Sequence, residues 1–176
     1  MRMIKAITFA ATKHKGQKRK GSKLPYVIHP IIVSHLISKY KKESVHLEDL
    51  QIAALLHDTL EDTNATYIEL ETNFGPLVAS IVMELTSDNE MIKKIGKNNY
   101  LKQKMIDMSK YAFILKLIDR FSNILDEPTE KYVIDTLDMM DYLIHNRKDI
   151  TERQIGIIGD IREECDKFML ILNSKK

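Results

Sequence analysis

Cysteine is nearly absent from this chain. Cys165 is the only one among 176 residues. No internal disulfide can form, and this chain alone cannot build a zinc finger or an iron–sulfur cluster from thiolates. Such usage fits a reducing cytoplasm, which is the expected compartment. Glycine and proline are scarce too. Six glycines and four prolines are about half the usual share of roughly 12%. So few breakers argue against an all-β sandwich or a glycine-rich nucleotide fold and favour long helices with few loops. Charge of one sign is also missing. Twenty-seven basic against 25 acidic residues leave a formal charge of +2, which excludes a bulk nucleic-acid or membrane-surface binder. No apolar run approaches the roughly 18 residues of a membrane span.

What remains is the composition of a globular protein, 44% hydrophobic and 30% charged, long enough to bury a core without covalent staples. The opening MRMIKAITFAATKHK reads as an amphipathic helix rather than a cleaved leader, with Ile4, Ile7, Ala10 and Ala11 on one stripe. Gly16, Gly21, Ser22 and Pro25 then punctuate a basic loop over 15–28. Pro30 fits the first turn of a helix reaching Tyr40. A third helix is expected from about Leu47 to Asp58 and a turn from Thr59 to Asn64. Thr66 with Glu69 forms a capping-box pattern, and Gly75-Pro76 separates that short helix from one ending at Leu85. Residues 86–98 are polar and read as a mobile loop. Helices are expected at about 99–108, 110–125, 129–146 and 151–172. The fold class is therefore all-α, a single-domain bundle over 1–176 of about eight or nine helices.

The segment AALLHDTLEDT, residues 53–63, carries the most chemistry. His57 lies on the apolar stripe of its helix, and a buried neutral imidazole beside the carboxylate of Asp58 makes a good pair of divalent-metal ligands. Glu61 and Asp62 follow within about one turn. His29 precedes Pro30 at another helix start. Asp119 is embedded in the apolar FILKLIDRF, where an acid is costly unless it is paired or metal-bound. His29, His57, Asp58 and Asp119 could thus form a four-ligand site from three helices, suited to Mn²⁺, Fe²⁺ or Zn²⁺. Glu61 lies four residues beyond His57, within reach of a water held there. Lys116, Asp119 and Asn123 share one helix face.

Four segments, HKGQKRKGSKLPYVIHP (14–30), AALLHDTLEDT (53–63), FGPLVASIVMELT (74–86) and KLIDRFSN (116–123), resemble the hydrolase domain of RelA/SpoT-type enzymes, within the HD-domain phosphohydrolase superfamily. The likeness runs over about residues 5–125, in order and with suitable gaps. It implies an Mn²⁺-dependent enzyme that removes the 3′-pyrophosphate of (p)ppGpp to leave GDP or GTP. It implies that His29, His57, Asp58 and Asp119 hold one Mn²⁺. By the same likeness Glu61 and Asp62 orient and deprotonate the attacking water. Arg19 and Lys20 would then face the base and phosphates, and Asn123 the ribose. Lys116 and Arg120 also fit the pattern, either as contacts or as structural partners of acidic neighbours. The implied partner is a small nucleotide, with no nucleic acid and no membrane.

Two departures leave other readings open. The basic loop is one residue longer than in many relatives, and Ser122 stands where a histidine is common. The same metal centre could act on another phosphorylated nucleotide, or the chain could be a non-catalytic nucleotide sensor. The remaining features have simpler readings. The lysines and arginine of 13–23 suit a small polyphosphate ligand better than a nucleic-acid face. His14, His35, His46 and His145 read as structural or surface residues, the nine methionines as core filling, and Cys165 as a non-nucleophile.

Overall fold

In the computed structural model of this chain, residues 1–21 and 23–174 are described, so Ser22 of the basic loop lies outside the described residues. Among them, regular structure is helical, apart from one isolated β-bridge between Lys18 and Pro25. The all-α expectation holds. The helices fall into two compact units, Met1–Ser87 and Asp88–Lys176.

The first unit holds α1 (Arg2–Lys13), α2 (Ile28–Lys41), α3 (Leu47–Leu56), α4 (Thr59–Asp62), α5 (Tyr67–Phe74) and α6 (Pro76–Leu85). Its centre is α3. Leu50, Ile52, Ala53, Ala54, Leu55 and Leu56 are all buried, and a helix apolar on every side belongs inside, not at a surface. It packs against α1, α2 and α6. The stripe expected on α1 holds only at Ala10. Ala6 and Ala10 are the buried residues, while Ile4 is 69% exposed and Ile7 38%. The small alanine face lets α1 approach α3 closely, and Phe9 meets Phe74 edge-on at 5.5 Å. The expected capping box is present: Thr66 accepts from the Glu69 N–H, and Glu69 accepts from the Thr66 N–H. Gly75, at φ +95°, makes the turn that an L side chain would resist, and Pro76 opens α6 where its missing N–H costs nothing.

The second unit holds α7 (Asn89–Ile95), α8 (Lys97–Asp107), α9 (Lys110–Ile124), α10 (Glu130–Asn146) and α11 (Glu152–Asn173). Its core is α9, with Phe113, Leu115, Leu117 and Ile118 buried against α10 and α11. Thr151 caps α11 through a second reciprocal pair, with Gln154. The nine expected helices each have a counterpart. The described residues add two short ones, α4 where a turn was expected and α7 where a loop was expected. Helix α7 needs no apolar stripe to form. Asp88 accepts from the N–H groups of Glu90 and Met91 at its start, and Gly96 at φ +82° ends it. No helix among the described residues is long and apolar enough to cross a membrane.

The second unit also buries a charge. Arg147, 5% exposed, donates to the carbonyls of Met105 at 2.6 Å, Ile106 at 3.0 Å and Met108 at 2.7 Å. Its guanidinium lies 4.2 Å over the Phe113 ring and pairs with Asp149 at 2.8 Å. The last carbonyls of α8 lack partners within their own helix, so a cation placed there satisfies them and complements the helix dipole. Arg147→Ala is expected to lower stability by about 3 kcal/mol, read as a fall in the urea midpoint. A loss below about 1 kcal/mol, the worth of one ordinary hydrogen bond, would contradict this role. Cys165 is buried on α11. Burial first, with the Asp166 carboxylate adding to it, pushes its thiol up from the usual 9.0 to about 11. The folded thiol therefore keeps its proton between these values while the unfolded thiol ionises, and stability falls as pH rises through that window. Native protein at pH 9 should resist iodoacetamide, and protein in denaturant should react at once.

Candidate metal centre and its surroundings

In the first unit the chemistry gathers at the end of α3. His57 follows the last residue of that helix and is 3% exposed. Its Nδ1 lies 2.7 Å from the Ala54 carbonyl. A carbonyl can only accept, so Nδ1 carries the hydrogen. Nε2 stands 2.8 Å from Oδ2 of Asp58. With a neutral ring, two lone pairs would face each other across that gap. The arrangement calls for positive charge there, either a proton or a metal ion. His29, on α2 and 2% exposed, has its ring centroid 5.2 Å from that of His57. The two predicted imidazoles are thus neighbours.

Asp58 also precedes α4, the one-turn helix that carries Glu61 and Asp62. Glu61 is half-buried, and its Oε2 accepts from the Ser87 backbone N–H at 2.9 Å. That bond fixes the carboxylate after α6, where the sequence offered no hint of a partner. Asp62 is exposed. Its carbonyl accepts from Nε2 of Gln17 at 2.8 Å, and Oε1 of Gln17 lies 2.7 Å from Nδ1 of His14. His14 is 3% exposed, so the structural reading of this residue fits and the surface reading does not. The Tyr26 hydroxyl donates to Oδ2 of Asp58. Neither Gln17 nor Tyr26 was singled out from the sequence. Both lie in the quoted motif, yet only a fold shows that they reach α4.

The basic segment closes as a small hairpin. Arg19 N–H donates to the Leu24 carbonyl at 3.0 Å, and Tyr26 N–H to the Gln17 carbonyl at 3.0 Å. Arg19 is half-buried, its guanidinium carbon 6.0 Å from the Tyr26 ring centroid, whereas Lys20 is exposed. The hairpin therefore sets Arg19 beside the Tyr26 that bonds Asp58.

In the second unit Asp119 lies on α9, half-buried among apolar neighbours. Lys116 Nζ is 3.0 Å from its Oδ2. Asn123 Nδ2 donates to its Oδ1 at 2.9 Å and to its backbone carbonyl at 2.9 Å. The three residues predicted to share a face do so and bond one another. Arg120 is buried, but the partners found for it are the Thr136 hydroxyl at 2.7 Å and the Tyr132 ring 4.9 Å away in place of the acidic neighbours expected. His29 and His57 are thus two buried imidazoles of the first unit and Asp119 a half-buried carboxylate of the second, residue types that divalent metals of intermediate softness take.

Comparison with known proteins now has a site to refer to. The HD domain family matches residues 6–124. The guanosine-3′,5′-bis(diphosphate) 3′-pyrophosphohydrolase MESH1 of Xenopus tropicalis is 39% identical over 125 residues, covering 70% of this chain and 68% of the relative. The human protein of that name is 35% identical over 127 residues, with 70% and 68% covered. A guanosine-3′,5′-bis(diphosphate) 3′-pyrophosphohydrolase of Aquifex aeolicus is 34% identical over 156 residues, which cover 80% of this chain and 21% of the relative. A solved structure of a metazoan SpoT orthologue that hydrolyzes ppGpp superposes with a TM-score of 0.73 at 28% identity, covering 94% of this chain and 92% of that one. The chain belongs to the HD-domain family, and within it to the group of MESH1-type guanosine-3′,5′-bis(diphosphate) 3′-pyrophosphohydrolases.

Proposed function

We propose that this chain is a metal-dependent hydrolase, that its substrate is guanosine 3′,5′-bis(diphosphate) or its triphosphate relative, and that residues 1–176 work as one catalytic domain. The observation that carries the reading is the His57–Asp58 pair, held 2.8 Å apart next to Glu61 in a segment that matches pyrophosphohydrolases acting on this nucleotide. The proposed ligands are His29, His57, Asp58 and Asp119, and the proposed ion is Mn²⁺. When bound, such an ion neutralises phosphate charge and lowers the pKa of water.

The rest falls to this chain's own groups. Glu61, oriented by the Ser87 N–H, takes the proton of the attacking water, with Asp62 beside it as second carboxylate. Water adds to phosphorus as the bond to the 3′ oxygen breaks. That oxygen leaves as a hydroxyl on the nucleoside, and inorganic pyrophosphate departs. Arg19 and Lys20 supply cations for the phosphates and a planar surface for the base. Asn123 holds Asp119 in place and offers its amide to the ribose side.

Metal binding at His57 and Asp58 must displace whatever proton sits between Nε2 and Oδ2. Calorimetric titration of chelator-treated protein with Mn²⁺ should therefore release protons, seen as heats that differ between buffers of different ionisation enthalpy. Equal heats would remove the lone-pair argument. In an assay of ppGpp beside other phosphorylated nucleotides, wild-type protein with Mn²⁺ should release pyrophosphate from ppGpp and stop when chelator is added. Asp119→Ala should lose metal and turnover together. Glu61→Gln should keep its metal and lose about 10²–10⁴-fold in kcat. Preference for a different nucleotide would keep the centre and move the substrate. Nucleotide binding without any turnover would replace the enzyme with a sensor.

A further inference from the structure

We propose that Tyr26 is a positioning residue for Asp58, and that its hydroxyl sets how tightly the chain holds its divalent cation. This rests on the reading of Asp58 as a ligand given above. Tyr26 enters neither the ligand set nor the water-activating pair, yet its hydroxyl donates to Oδ2 of Asp58. That oxygen is the one 2.8 Å from Nε2 of His57. A carboxylate swivels about its bond to the chain, and fixing one oxygen fixes the other. The orienting donor is also neutral. It holds the carboxylate without adding a positive charge that would repel an arriving cation, as a lysine or arginine would.

Tyr26 is itself held. Its ring centroid lies 4.9 Å from that of His14 and 6.0 Å from that of His29. Its backbone N–H donates to the Gln17 carbonyl at 3.0 Å. Gln17 cannot be flipped. Its amide nitrogen faces the Asp62 carbonyl at 2.8 Å, an acceptor only, so its oxygen faces His14, and Nδ1 of His14 must donate. The base of the hairpin therefore grips the 58–62 turn at both ends, Tyr26 at the Asp58 carboxylate and Gln17 at the Asp62 carbonyl. The ordering of Asp58 is achieved in the fold, before any ion arrives, and this preorganisation is what tightens a metal site.

Tyr26→Phe removes the hydroxyl and keeps the ring with its neighbours. Both proteins would be stripped with chelator, checked for native circular dichroism, and titrated with Mn²⁺ while free ion is followed by electron paramagnetic resonance. The dissociation constant of Tyr26→Phe should rise about 10–100-fold. Tyr67→Phe, which loses only an exposed hydroxyl 3.4 Å from Glu71, should bind as wild type. Saturating Mn²⁺ should restore kcat of Tyr26→Phe, because the defect lies in holding the ion. A dissociation constant within about twofold of wild type would overturn the assignment, as the hydroxyl would then merely pack. A kcat that stays low at saturating Mn²⁺ would overturn it too, by placing Tyr26 in the reaction itself. Wild-type protein that binds no Mn²⁺ would instead sink the metal reading on which the assignment rests, so the two failures are told apart.

Discussion

One hydrogen bond commits the chemistry of the first unit: Nδ1 of His57 to the Ala54 carbonyl, at 2.7 Å. It decides the tautomer. With the hydrogen on Nδ1, the lone pair is on Nε2, and Nε2 faces Asp58. The carbonyl is available because His57 sits at the end of α3, where the last carbonyls have no partner in the helix. At the helix terminus the same bond also answers a carbonyl at the end of the ladder. The apolar surroundings add to the effect, since a buried imidazole and carboxylate interact far more strongly than in water.

The rest of the unit serves to keep that terminus still. The last turn of α3, Ile52 to Leu56, is buried on every side and cannot rotate without moving its neighbours. Past its end, the chain turns at once into α4, whose single turn is too short to be stable alone. Its order comes from outside: Tyr26 and Gln17 on one side and the Ser87 N–H on Glu61 on the other. Three segments far apart in sequence meet there. Within the first unit, widely spaced segments thus supply neighbouring groups at α4.

The all-helical class, nine helix positions and the Thr66–Glu69 capping box were legible in the sequence because each rests on local rules. Thr66 and Glu69, three residues apart, are enough to declare a helix start. Helices α4 and α7 were not legible, because both are short and neither buries a full apolar face: α4 is one turn, and α7 has Met91, Ile92 and Ile95 amid polar residues with none fully buried. One is ordered by distant side chains and the other by a cap and a glycine. The stripe on α1 was misread for a related reason. Isoleucine outranks alanine in hydrophobicity, but close packing against α3 selects the small face. At the site, the imidazoles and acids were legible as residue types out of place: a histidine on an apolar stripe, an aspartate inside an apolar helix. Gln17, Tyr26 and Ser87 were not, since a glutamine, a tyrosine and a backbone N–H look ordinary until the fold brings them to α4.

Each unit also solves the same problem, a polar group that its helix would bury. In the second unit Asp119 has a cation three residues before it and an amide four residues after it, so one helix face supplies both partners. Arg147 answers three carbonyls and an acid. These two sites differ in what they leave for a ligand. A guanidinium that spends its donors on backbone carbonyls is finished as structure. A carboxylate oxygen carries more than one lone pair, and Lys116 and Asn123 orient the two oxygens of Asp119. Two other arginines differ in setting: Arg120 is buried against Thr136 and the Tyr132 ring, and Arg19 lies half-buried beside the Tyr26 ring. At Asp119 and Arg147 alike, a charged group that the fold wholly or partly buries is thus held by partners set within a few residues or at a helix end.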